Sequence, residues 1–249
     1  MSAPSKLFRY YLVFATSLLV GYQVPIRATG QQKSYKPFIV EEKAMFFPST
    51  QNPAQVRYST YARRSDGSYV RRFEVRAPNG EIGRTVELVD LKAKSVTLLE
   101  PFTKSAITFP KSDGELVEEL ALQDNCEAID RVRANDGQNS VKDKLFGVDV
   151  ERIVKTSEGM TVERWVARDL DCYSFQKSTT FSSGAHNEEA VVKFEQMEPD
   201  DSYFEIPGDY VQASPLQVEQ MYSLKFPGHA FWGREHASKI EQRFQKKRR

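Results

Sequence analysis

The sequence has 249 residues and a formal net charge of +1, with 28% charged side chains, three histidines and two cysteines. Its last sixteen residues carry seven basic side chains against two acidic ones, so the remainder is acidic. That balance excludes a general nucleic-acid binder, whose positive charge covers a face of the fold, and no histidine stands at a ligand-like spacing from a cysteine to form a zinc site.

Lys6 and Arg9 precede an apolar run from Tyr10 to Val20, and no acidic residue occurs before Glu41. The run is about half the ~20 residues that a membrane-spanning helix needs. A basic start, a short apolar centre and the small-residue exit Ala28-Thr29-Gly30 predict a secretory signal peptide over residues 1–30. Cleavage after Ala28 and retention as a short anchor are the alternatives. Loss of Lys6, Arg9 and Arg27 takes the net charge from +1 to −2. The predicted location is periplasmic or secreted.

A single β domain is predicted over 31–212. Alternating apolar and polar positions predict strands at 38–47, 56–64, 70–77, 84–90, 95–99 and 106–109, with turns at Ser65-Asp66-Gly67 and Asn79-Gly80. Such close spacing suits an antiparallel meander. A short helix is expected over 113–122 and a polar loop over 124–144. A second series follows at 148–156, 160–167, 173–180 and 190–198, closed by 200–210. The two series are read as successive parts of one sheet. Residues 213–249 are expected as a helical, basic appendage, with a helix at 216–224 and a basic helix or a frayed tail over 233–249. Phe231 and Trp232 are expected to anchor it to the sheet; contact of the basic tail with an anionic membrane surface is the other reading.

In an oxidising compartment Cys126 and Cys172 are expected to pair, with two separate thiols as the alternative. No catalytic residue is assigned. There is no Gly-x-Ser-x-Gly elbow, no phosphate-cradling Gly-rich loop and no His-x-x-x-His pair. Ser182-Ser183-Gly184-Ala185-His186 reads as a hairpin loop, and Glu87 with Asp90, or Glu163 with Asp169, as wet-face charges.

The order of several segments resembles the LolA/LolB-like proteins of bacterial envelopes, which include outer-membrane lipoprotein-sorting proteins. The residues that carry the resemblance are Val86 through Pro101, Phe146-Gly147-Val148-Asp149-Val150-Glu151, Val162 through Leu170 with Trp165, Phe194 through Asp200, and Phe204 through Tyr210. It spans roughly residues 55–210. The resemblance implies a mainly β (α+β) fold, a curved antiparallel sheet forming an open half-barrel with a short helical lid. It further implies binding of an apolar or amphiphilic ligand, a lipid or lipoprotein acyl chain, without catalysis or a cofactor. Cys126, Cys172 and the basic tail depart from that pattern. Phe73, Val75, Val86, Leu88, Val96, Leu98, Trp165 and Phe194 are the candidates for one apolar concave face. An envelope interaction module with a self-filled core is the alternative, and a hydrolytic enzyme comes third.

Overall fold

The computed structural model describes residues 34–47, 55–112, 126, 130 and 141–247. The export signal expected over 1–30 and the helix expected over 113–122 lie outside the described residues. Among those described, twelve strands form one open, curved, mixed sheet accompanied by two helices.

The first series comprises β1 (Phe38–Phe47), β2 (Gln55–Arg63), β3 (Tyr69–Arg76), β4 (Ile82–Asp90), β5 (Ser95–Glu100) and β6 (Ser105–Pro110). The second comprises β7 (Lys142–Leu145), β8 (Val148–Ser157), β9 (Met160–Ala167), β10 (Tyr173–Phe181) and β11 (His186–Glu195). A short β12 (Val211–Gln212) runs parallel to β6 at one edge. The order across the sheet is β12-β6-β5-β4-β3-β2-β1-β11-β10-β9-β8-β7. Each series is therefore a meander, and the antiparallel pairing of β1 with β11 joins them into one sheet.

Turn chemistry sets the hairpins. Pro78, Asn79 and Gly80 link β3 to β4: the Gly80 N–H donates to the Ala77 carbonyl, and Asn79 Oδ1 accepts from the Glu81 N–H at 3.0 Å. Gly80 sits at φ +88°, a conformation that a side chain would strain. Register shifts between Glu41 and Glu42 on β1, and between Ser174 and Gln176 on β10, add local bends to the sheet. β7 overlaps the end of the stretch expected as loop; its Lys-Asp-Lys-Leu sequence carries no apolar alternation to reveal it. β11 starts at His186, ahead of the expected residue 190, because Thr180 pairs with His186 and leaves a tight Ser182–Ala185 turn.

After β12, α1 (Pro215–Lys225) and α2 (Arg234–Lys247) follow. Ser214 caps α1, accepting from the Gln217 N–H while the Gln217 side chain accepts from the Ser214 N–H, with Pro215 in the first turn. The helices also cap each other. Buried Glu219 of α1 accepts from the Trp232 and Gly233 N–H groups at 2.7 and 3.1 Å, where α2 begins. Glu241 of α2 accepts from Ser214 Oγ and the Leu216 N–H, where α1 begins. Tyr222 and Phe226 then pack on Ala77 and Phe102 at the turn end of β3–β6, with Phe231 against them. Lys225 Nζ donates to the Phe102 carbonyl at 2.7 Å.

Candidate ligand-binding face

Strand alternation gives the sheet two faces. Ser59, Tyr61 and Arg63 of β2 stand opposite Phe73, Arg71 and Tyr69 of β3, and these stand opposite Thr85, Glu87 and Val89 of β4. Across β5 the row continues through Leu98 and Val96, and across β6 through Ile107 and Phe109. Toward the other series it continues through Phe38 and Val40 of β1 to Phe194 of β11. We call this the aromatic face.

Its centre is filled. Phe38, Tyr61, Tyr69 and Phe175 are each 3% exposed or less. Ring centroids lie 5.5 Å apart for Phe38–Tyr61, 4.8 Å for Phe38–Tyr173, 5.3 Å for Tyr61–Tyr69 and 5.2 Å for Phe175–Phe194. Such contacts add to area burial in holding a single packing. Arg63 closes one end. Its buried guanidinium lies 4.7 Å from the Phe38 ring centre, donates to the carbonyls of Lys36 and Leu170, and meets Asp171 at 3.2 Å. Asp171 and Cys172, both at positive φ, turn the chain from β9 into β10 there.

A polar cluster borders the aromatics. Glu42 accepts from Tyr173 Oη at 2.5 Å and from Ser59 Oγ at 2.7 Å. Arg71 approaches the same carboxylate at 3.9 Å, and burial competes in it with the attraction of Glu42, Glu87 and Glu189, which leaves its pKa raised. Burial, with the charge of Glu42 beside it, holds the Tyr173 hydroxyl well above its ordinary pKa. Three carboxylates stand here against Arg71 and Lys177, which meets Glu189 at 3.6 Å, so the rim carries one negative charge in excess.

The eight residues singled out in the sequence do not share one surface. Phe73, Val75, Val96 and Leu98 lie on the aromatic face, and Trp165 and Phe194 pack against its cluster. Val86 and Leu88 are a correction: they point to the opposite face, in a cluster with Ala62 and Val70 that Tyr203 and Phe204 cover. The reason is the loop of Pro78, Asn79 and Gly80, which pairs Ala77 with Glu81 and so sets odd-numbered residues of β3 against odd-numbered residues of β4. Val75 is covered by the cluster of Tyr222 and Phe226. The set is thus divided: Val96, Trp165 and Phe194 belong to the aromatic cluster, Val75 to the α1 cluster and Val86 and Leu88 to the opposite face, so no single small pocket gathers it.

Between the filled centre and docked α1, Phe73 and Leu98 remain part-exposed on the aromatic face. Sequence reading missed the central rings, although Phe38/Val40 and Tyr173/Phe175 alternate within strands it placed. Cys126 and Cys172 form a disulfide with a Cα–Cα distance of 5.3 Å, packed on Val166 and Ile153. The serines at 182 and 183 do not meet His186, whose ring contacts Thr180 at 3.1 Å and Glu188 at 2.8 Å on an exposed strand pair. Glu87 and Asp90 point to opposite faces, Glu163 binds Arg152 and Asp169 binds Lys36. Among the described residues no group of three or more metal-ligating side chains converges, and no helix is long and apolar enough to cross a membrane.

No protein-family model and no curated protein matches the chain. It is similar to several solved structures. One is PNGF-II, at 11% identity and TM-score 0.39 over 75% of this chain and 32% of that one, so this chain spans about a third of its length. Another is a LolA superfamily protein from Nitrosomonas europaea, at 8% identity and TM-score 0.32 over 69% of this chain and 90% of that one. A third is LprF from Mycobacterium bovis, at 11% identity and TM-score 0.35 over 72% and 91%.

Proposed function

We propose that this is an exported, non-catalytic binding protein of the cell envelope whose aromatic face takes the apolar part of an amphiphile, such as a lipid or lipoprotein acyl chain. The observation that carries the reading is the strip of Phe73 and Leu98, part-exposed between a sealed aromatic core and a docked helix. Fully burying an exposed large apolar side chain is worth roughly 1.5–3 kcal/mol, and an acyl chain laid along the strip would supply the part of it that half-buried Phe73 and Leu98 still lack. The polar end would meet Arg71 with Glu42, Glu87 and Glu189, a rim that suits a neutral or cationic head group. The disulfide fits an oxidising compartment.

Native mass spectrometry of protein purified from its own envelope fraction is expected to show a co-purifying amphiphile that solvent extraction removes. A fluorescent acyl-amine probe is expected to bind saturably, and Leu98→Glu to weaken it about tenfold, the value of roughly 1.4 kcal/mol of lost apolar contact. No co-purifying amphiphile together with no probe uptake would sink the proposal. A second reading, an envelope interaction module with a self-filled core, is favoured by the near-complete burial of Phe38, Tyr61, Tyr69 and Phe175. The same pair of negative results would leave it standing.

A further inference from the structure

The face opposite the aromatic one carries a row of charge that the proposed ligand does not use. Lys193 of β11 stands opposite Glu41 of β1, Glu41 opposite Thr60 of β2, and Thr60 opposite Arg72 of β3. Arg84 of β4 lies diagonal to Arg72, whose direct partner is Val86, and stands opposite Glu74 of β3. With Ile39, Glu195 and Tyr203, these residues line a cleft of about 130 Å³.

The charges in the cleft are not matched. Both cleft carboxylates lie on the side of Lys193, which meets Glu195 at 2.8 Å and Glu41 at 3.7 Å. Arg72 has only neutral partners: it donates to the Tyr203 carbonyl at 2.8 Å and lies 5.1 Å from the Tyr203 ring centre. Arg84 is exposed and has no ion pair among the described residues. Two guanidinium groups thus line one cleft, and among the described residues no carboxylate is in ion-pair contact with either. Burial and the neighbouring Arg84 charge lower the Arg72 pKa. A bound oxyanion would relieve that repulsion, and the planar forks of arginine suit it by paired N–H donation. Thr60 adds a hydroxyl donor to the same wall.

We infer that Arg72, Arg84 and Thr60 form a binding site for a small phosphate-type oxyanion, closed at one side by Tyr203. The cleft holds a phosphate group with a few waters, each occupying about 30 Å³. The anion comes either free from solution or as the head group of an anionic lipid. It lies on the other side of the sheet from Phe73 and Leu98, so this site stands or falls independently of the amphiphile reading.

The test is titration of inorganic phosphate into the intact protein at fixed ionic strength, read by the side-chain N–H resonances of its arginines, beside flotation with phosphatidylglycerol and with phosphatidylcholine vesicles. Saturable shifts at Arg72 and Arg84 are expected with phosphate. Arg84→Gln is expected to weaken binding about tenfold, as loss of a charge-assisted hydrogen bond does, without changing the unfolding midpoint. Lys155→Gln, on a distant exposed strand position, should change nothing. Phosphate binding without capture by phosphatidylglycerol identifies the free anion; Arg84-dependent capture by phosphatidylglycerol but not phosphatidylcholine identifies the head group. No saturable shift and no Arg84-dependent capture, or equal binding by Arg84→Gln, overturns the site.

Discussion

Arg63 is the residue on which the aromatic face hinges. A guanidinium 1% exposed is tolerated because ring faces, two carbonyls and Asp171 replace its lost hydration. Arg63→Leu strands the Asp171 carboxylate and the turn carbonyls, and is expected to cost about 3–5 kcal/mol in denaturant unfolding. Tyr173 supplies the pH signature. Its folded pKa lies above the unfolded value of about 10, so its contribution is complete below pH ~10 and is lost as pH rises through the folded value. Wild type should therefore lose stability at high alkaline pH more steeply than Tyr173→Phe. The phenylalanine variant should also be weaker at neutral pH by about 1–3 kcal/mol, because Glu42 loses a donor. A matching alkaline slope in both proteins would reject this assignment.

At the scale of elements, the strands were legible and their facing was not. Period-two alternation and turn residues place the main strands, since those signals are local. Which face Val86 and Leu88 take depends on whether the preceding loop holds an odd or even number of residues, and the Asn79-Gly80 pair alone does not say. β7 escaped because Lys142, Asp143 and Lys144 are polar on both sides, and the aromatic centre because its rings come from strands distant in sequence. The mutual capping of α1 and α2 is likewise invisible to spacing: Glu219 serves a helix start beyond an intervening loop. Glu219→Ala leaves the Trp232 and Gly233 N–H groups unmet and is expected to cost about 1–2 kcal/mol. Amide hydrogen exchange should then rise in α2 first; unchanged exchange there would show that Glu219 does not hold it. Gly83 is a tight point in β4, where a Cβ would lie 2.7 Å from Pro101 and 2.9 Å from Phe102. Gly83→Ala is expected to lower the thermal midpoint by displacing Pro101 and Phe102, and with them the packing of Phe102 on α1.

For the whole molecule, the disulfide ties residue 126 onto the back of β8–β9 with 46 residues of separation. In the chain-entropy description such a loop is worth about 4 kcal/mol. The double variant Cys126→Ser/Cys172→Ser is expected to lose an amount of that order in guanidinium unfolding, and alkylation of unreduced protein should find no accessible thiol. Two alkylated cysteines would contradict the bond. Both faces carry charge: Glu42, Glu189, Arg71 and Lys177 border the aromatics, and Arg72, Arg84, Lys193, Glu41 and Glu195 line the cleft on the other side. The two proposed sites lie on opposite faces of the sheet, so their ligands would not compete.

The seam between β1 and β11 also sets an order of events in time. β1 is made early, yet one of its two neighbours is the last strand of the second series, with Ile39 opposite Glu195. Each meander can assemble from near neighbours, but the seam must wait for nearly the whole chain, and contacts this distant slow folding. Until β11 arrives, one side of β1 offers unmatched backbone groups to any strand that passes. A protein built this way gains from a delay in its release, or from an escort, while its first strand waits for its last.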